Sequence, residues 1–288
     1  MSYSDTLERP VRRSVDGALR TPARRPVSKR KAAAKARKRM MRKIKRFLIF
    51  DIALLLILMA VLQLNKAGFF DEMKFTMDMD KLRKQNVPED VIHLYEKNPD
   101  TRDFVMSYSE ESGMKHDADI TKEASADGIP HFMQWDKRWG YETYGSNMMA
   151  LTGCGPTCLS MVYTGLTKNA DMNPLVMAEK AEAEGYYVWG SGSSWDMMNS
   201  LAAEIGLTVH NVPFEESSIK NFLSEGHPII CVMGPGDFTE SGHFIVLTGI
   251  DADGQIIVND PNSYQNSDKH WDISTLMPQI QNLWGYSY

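Results

Sequence analysis

Apolar positions fall along this chain in three regimes. Residues 47–64, FLIFDIALLLILMAVLQL, form a run of 18 residues broken only by Asp51 and Gln63. At 1.5 Å per residue this is roughly 27 Å of helix, enough to cross the hydrocarbon layer of a membrane once. Further on, Val91, Ile92, Leu94 and Tyr95, then Phe104, Val105 and Tyr108, recur at helical spacing, and Asn98-Pro99-Asp100 divides them into two short helices. From about residue 129 the pattern shortens. It predicts helices over 156–165, 174–184, 195–205 and 216–224, and strands over 207–212, 228–233, 243–250, 255–259 and 283–287. Asn173-Pro174 and Ser193-Ser194 supply helix starts, and Asp251-Ala252-Asp253-Gly254 supplies a hairpin turn. Helices precede strands, which favours a segregated α+β arrangement over alternating βαβ units.

Charge divides the chain where the apolar run does. The net charge of -5 hides 17 lysines and arginines against three acids in residues 1–46, and 15 against 34 in the rest. Basic residues flanking a span stay on the cytoplasmic side, so the segment after it lies outside the cytoplasm. The 46 residues ahead of the run are too long for the leader of a cleaved signal, and no small-residue cleavage site follows it, so the helix reads as an uncleaved anchor. The basic stretch has no interleaved aromatics and abuts a membrane helix, which fits a tail on anionic lipid and not a nucleic-acid binder. Asp51 reads as a tolerated interfacial charge or a functional intramembrane acid. Four regions result: a basic cytoplasmic tail (1–46), a transmembrane helix (47–64), a charged, Met-rich helical stalk or flank (65–124), whose end lies in the polar linker 107–128, and a domain over 125–288.

With three cysteines and no paired CxxC, the chain is neither a disulfide-stapled scaffold nor a structural zinc module. Cys154 stands in TGCGPTCLSMV at the entry of a predicted helix, with Pro156 in the first turn. The positive end of the helix dipole lowers a thiol pKa and favours the nucleophilic thiolate. Cys158 lies one turn deeper as a packed thiol. His243 opens the apolar strand 243–247 after a glycine-rich loop, and Asp260 closes the neighbouring hairpin strand, where an antiparallel return brings it toward His243. Alternation sends Asn259 to the other side, with the register open by one residue. His210 and His227 at strand edges compete with His243. The aromatics Trp135, Trp139, Tyr141, Tyr144, Tyr186, Tyr187, Trp189 and Trp195 either pack the core or line a groove.

These segments resemble a known family. The stretches IPHFMQWDKRWGYETYG (129–145), TGCGPTCLSMVYTGLT (152–167), HPIICVMGPGDFTESGHFIVLTGI (227–250) and VNDPNS (258–263) are similar to the papain-like cysteine peptidases of the double-glycine-leader, or bacteriocin-processing, type and their extracytoplasmic relatives. The resemblance implies a papain-like fold, a central helix on an antiparallel sheet. It also implies Cys154 as nucleophile, His243 as general base and acid, and Asp260 as the residue orienting the imidazole. The family's oxyanion-hole glutamine is often six residues ahead of the cysteine, where this chain has Met148. The role is carried instead to Gln134, whose alternative is a backbone contact in a turn.

The combined expectation is a single-pass thiol hydrolase of the cell membrane, N-terminus cytoplasmic and catalytic domain extracellular, cleaving peptide or protein substrates without metal or organic cofactor. In that oxidising setting a Cys158–Cys231 disulfide would leave Cys154 free. Two rivals are a non-catalytic module binding peptides or cell-wall fragments, and a thiol amidase or transpeptidase acting on peptidoglycan.

Overall fold

The computed structural model describes residues 27–66 and 68–288. The reading of residues 1–26 as a basic tail lies outside the described residues. The chain divides into two compact units, 1–73 and 74–288.

In the first unit, α1 (Val27–Lys66) is one continuous helix of 40 residues. It is long and apolar enough to cross a membrane by length and composition. It starts 20 residues ahead of the apolar run because VSKRKAAAKARKRMMRKIKR is built of strong helix formers, which extend the helix irrespective of where a hydrocarbon boundary falls. A second helix, α2 (Phe69–Lys84), carries the chain into the next unit.

The second unit mixes helix and sheet. Its sheet has five antiparallel strands: β1 (Thr208–His210), β2 (Ile229–Met233), β3 (His243–Ile250), β4 (Ile256–Asn259) and β5 (Ile280–Ser287), in the spatial order β1-β5-β2-β3-β4. β2, central and buried at every position, reads as the continuous apolar run IICVM, whereas β1 at the edge holds only three residues. Helix α3 (Glu89–Lys97) precedes the sheet, as do α4 (Cys154–Thr167) and α5 (Pro174–Ala183), while α6 (Glu216–Ser224) falls between β1 and β2.

Strand alternation sorts the core into two faces. Ile230, Val232, Phe244, Val246, Trp284 and Tyr286 meet Leu159 and Val162 of α4 and Met177 of α5. Ile229, Cys231, Met233, Ile245 and Leu247 face the other way, onto Ile219 and Leu223 of α6 and onto Trp271. Cys158 belongs to the first face and Cys231 to the second, so the sheet lies between them. All three cysteines are free thiols, so of the two states left open for Cys158 and Cys231 the structure has the unpaired one. Burial pushes both thiols up, leaving them protonated and inert.

α4 packs closely because it carries Gly165. A Cβ there would lie 2.8 Å from Ile129 Cα and 2.4 Å from its Cδ1, so residue 165 is where the entering chain crosses the helix. α4 ends at Lys168, which adopts the left-handed conformation at φ 58° and uses Nζ to hold the carbonyls of Ala126 (2.7 Å) and Gly128 (3.0 Å).

A third cluster joins the N-terminal flank to the domain. Leu82, Ile92, Leu94 and Phe104 pack with Met133, Trp135, Tyr141 and Ala150. Phe104 stacks on Tyr141 at 4.2 Å, and the Tyr141 hydroxyl donates to the Phe104 carbonyl at 2.7 Å. From Lys74 onward the segment read as a stalk or flank therefore shares a core with the domain. Pro99 breaks its helix as the sequence indicates, and the polar stretch 107–128 contains helical turns at Tyr108–Glu111 and Thr121–Ala124.

Candidate active site

Cys154 is the first residue of α4, and the two glycines beside it have distinct steric reasons. A Cβ on Gly153 would meet the Met149 carbonyl oxygen at 2.6 Å; one on Gly155 would meet Ser193 Oγ at 2.5 Å and Cβ at 2.7 Å. Pro156 occupies the first turn, and Thr157 Oγ1 donates to the Gly153 carbonyl at 2.7 Å, closing the helix start. The thiol is half-buried there, at the start of β3, where the His243 ring and the backbone amides of Phe244 and Gly155 favour its ionised form.

His243 and Asp260 come together through the β3–β4 hairpin. Its register pairs Val246 with Asn259, after a shift between Leu247 and Gly249, and carries the end of β4 back toward the start of β3. The Nε2–H of His243 donates to Asp260 Oδ1 at 2.7 Å. With Nε2 engaged there, Nδ1 is the ring nitrogen that serves the thiol. Asn259 turns the other way, its amide donating to the carbonyls of Ile129 and Pro130. Of the pair Asn259-Asp260, it is thus Asp260 that meets the imidazole.

The electrostatics follow from these contacts. At Cys154, burial opposes ionisation, but the hydrogen bond and charge of His243, with the two amides, outweigh it and hold the thiol below its ordinary range. At His243, burial disfavours the imidazolium, yet the charge and hydrogen bond of Asp260, aided by Cys154, push its pKa up to about 10. Asp260 is buried, which would raise it, but His243, Asn266 and the Asn262 amide hold it below the usual carboxylate range. All three shifts favour a thiolate and an imidazolium side by side.

Several residues supporting Asp260 escaped the sequence reading. Asn266 Nδ2 donates to its Oδ2 at 2.9 Å and the Asn262 amide to its Oδ1 at 2.8 Å. The Asp260 amide donates to Ser267 Oγ at 2.9 Å, and His131 Nε2 donates to the Asp260 carbonyl at 2.7 Å. The available signal was the polar run Asn262, Ser263, Asn266 and Ser267 after Asp-Pro, the composition of a turn that bonds its own backbone.

Gln134 is buried between the acid and the cysteine segments. Its backbone N–H donates to the Pro261 carbonyl at 2.7 Å and its Nε2 donates to the Ala150 carbonyl at 2.7 Å. Its Oε1 is buried with no hydrogen-bond partner among the described residues. The competing histidines stand elsewhere: His210 bonds Ser287 Oγ at 2.8 Å, and both His210 and His227 pack on Phe222. Of the aromatics, Trp135, Trp139, Tyr141 and Tyr144 are buried, whereas Trp189 and Trp195 are exposed.

A helix-start thiol polarised by a carboxylate-held imidazole is the arrangement that carries acyl transfer in cysteine hydrolases. Residues 126–288 match the Peptidase_C39 like family, and comparison with curated proteins returns no match. That segment covers more than half of the chain and contains Cys154, His243 and Asp260, so the chain belongs to the Peptidase_C39 like family, with a C39-like cysteine peptidase domain over residues 126–288.

Proposed function

We propose that this protein is a membrane-anchored peptidase of papain-like fold that cleaves peptide bonds with a Cys154-His243-Asp260 triad outside the cytoplasm. The observation that carries this reading is the buried His243-Asp260 hydrogen bond, with the ring favouring ionisation of the helix-start thiol of Cys154, within a domain of a peptidase family. A helix packed on an antiparallel sheet, with the cysteine at the helix start, supports the papain-like assignment.

In the first half-reaction the Cys154 thiolate attacks the substrate carbonyl carbon, and the carbonyl electron pair moves onto oxygen. The backbone amide of Cys154 and the second amide hydrogen of Gln134 are assigned to receive that oxyanion. Collapse re-forms the carbonyl and breaks the C–N bond while His243 gives its proton to the departing amine, leaving a thioester. In the second half, neutral His243 takes a proton from water as the water oxygen attacks the thioester. The carboxylic acid leaves, and Cys154 returns as thiolate beside imidazolium. Asp260 holds Nε2 throughout, so Nδ1 stays aimed at the sulfur.

The apolar helix supports anchoring, and the basic residues 29–46 ahead of the run support a cytoplasmic N-terminus with the domain on the opposite side. The full chain in detergent micelles, incubated with a mixed peptide library and with cell-wall fragments beside a Cys154→Ala control, tests the activity. Cys154-dependent peptide products are expected. Products from cell-wall fragments alone would replace the reading by an amidase, and no product from either pool would overturn it.

A further inference from the structure

The family match begins at residue 126, yet a groove beside the triad has a wall from outside that segment. A groove of about 620 Å³ lies between α3 and the loop 234–242. Its floor reaches Leu151, three residues before Cys154, Ser241, two before His243, and Asn262, two after Asp260. The triad side chains do not themselves line the groove, but a chain neighbour of each of the three does, which sets the groove beside the reacting centre.

The flank is built into this place. The Asn98 amide donates to the Asn262 carbonyl, and Asp100 Oδ2 accepts from the Tyr264 amide at 3.1 Å, so the flank grips the segment leaving Asp260. Across the groove mouth, Lys97 Nζ donates to Glu240 Oε2 at 2.8 Å, with both side chains largely exposed. The walls also carry Asp90 and Asp237, each accepting a hydrogen bond from a neutral amide, of Asn147 and Gln279 respectively. Carboxylates outnumber the ammonium, and Leu94 with Phe238 adds apolar surface.

We infer that α3, outside the family-matched segment, is a specificity wall of the substrate groove. It receives a stretch of polypeptide on one side of the scissile bond and favours a cationic over an acidic side chain there, with the Lys97-Glu240 pair setting the local charge. This rests on the peptidase reading and names the substrate class of the same site. Residues 97 and 240 are positioned to select substrate and stand apart from the chemistry.

The test uses the full chain in detergent micelles and epoxysuccinyl peptides extended on either side of the epoxide, with Lys or Asp scanned through each position. The readout is the rate of Cys154 alkylation, so turnover is not needed, and iodoacetamide serves as a control for the thiolate. At one position the wild type alkylates faster with Lys than with Asp. K97E raises that ratio and E240K lowers it, each by about threefold or more at low salt. The double swap K97E/E240K returns it toward the wild-type value, a rescue that loss of packing would not give. Iodoacetamide rates stay unchanged in all four proteins. Ratios that move in neither single variant, with iodoacetamide labelling intact, would overturn the groove assignment alone. Wild-type iodoacetamide labelling no faster than a free thiol would overturn the peptidase reading and this inference with it.

Discussion

His243 and Asp260 lie 17 residues apart in sequence, yet Nε2 of one and Oδ1 of the other are 2.7 Å apart, with both side chains buried. Little water screens this pair, and the carboxylate has two further donors in Asn262 and Asn266. Burial alone would drive the ring toward its neutral form. The buried carboxylate reverses that sign and keeps the ring charged to about pH 10.

Asp260→Asn removes the charge and keeps the shape. The His243 pKa then falls, because burial remains and its largest opposing cause is gone. The alkaline limb of kcat/KM is expected to move from near pH 10 to lower pH, with a loss of about 10²-fold to 10⁴-fold at the optimum. A pH profile with an unmoved alkaline limb would show that the carboxylate does not govern the imidazole.

The same shifts set the pH dependence of stability. A pKa raised by folding stabilises fully below the unfolded histidine value and ceases to do so as pH climbs through about 10, whereas the depressed Asp260 stabilises above the ordinary carboxylate range and stops doing so in acid. Thermal melting followed by circular dichroism should give a Tm that drops at both extremes. In Asp260→Asn the alkaline drop attributable to His243 should shrink.

Gly165→Ala pits two effects against each other. Alanine gains about 1 kcal/mol of helix propensity over glycine, but its Cβ would press on the Ile129 backbone at 2.8 Å, where yielding means moving the chain. Overpacking of this kind costs about 1–3 kcal/mol. The net expectation is a lower urea midpoint, and a raised midpoint would show that 129 gives way freely.

Arg102 clamps the flank through Asp78, donating from Nε at 2.6 Å and Nη2 at 3.1 Å, while the Tyr95 hydroxyl donates to the same carboxylate. Arg102→Ala leaves a buried carboxylate short of its counter-charge. Since the guanidinium is itself partly exposed, the cost should be about 1–3 kcal/mol and not the full value of a dry pair. Limited proteolysis should then cut first within residues 74–111, and unchanged protection there would contradict the shared core.

Much of the second unit was legible from apolar periodicity. β3 runs over 243–250 as read, because its first half is buried on both faces and shows as an apolar run, and α6 runs over 216–224, because it buries one face, with Ile219 and Leu223. The readable part of the site was its polar outliers: a cysteine at a Gly-Pro helix start, a histidine opening an apolar strand and an acid closing the next. Short elements stayed invisible. The hairpins Thr143–Met148 and Tyr187–Ser193 have two-residue strands, too short for alternation to register. Predicted helix 195–205 is in fact a 3₁₀ turn, Trp195–Met198, followed by a short helix, Ser200–Glu204, with Asn199 between them. Spacing alone left the pairing of Cys158 with Cys231 open. Whether Cys158 and Cys231 share a face depends on which side of β2 receives α4.

Acyl transfer at this site depends on the charged state of the sulfur, which is read out by the rate of Cys154 alkylation by iodoacetamide as a function of pH. With Cys158 and Cys231 buried and protonated, labelling of the folded full chain reports Cys154 alone. The rate should already be high near neutral pH, with a midpoint below the ordinary thiol value of 9.0, and in His243→Ala the midpoint should rise to that value or above it. A wild-type midpoint at or above 9.0, unmoved by His243→Ala, would contradict the thiolate-imidazolium pair.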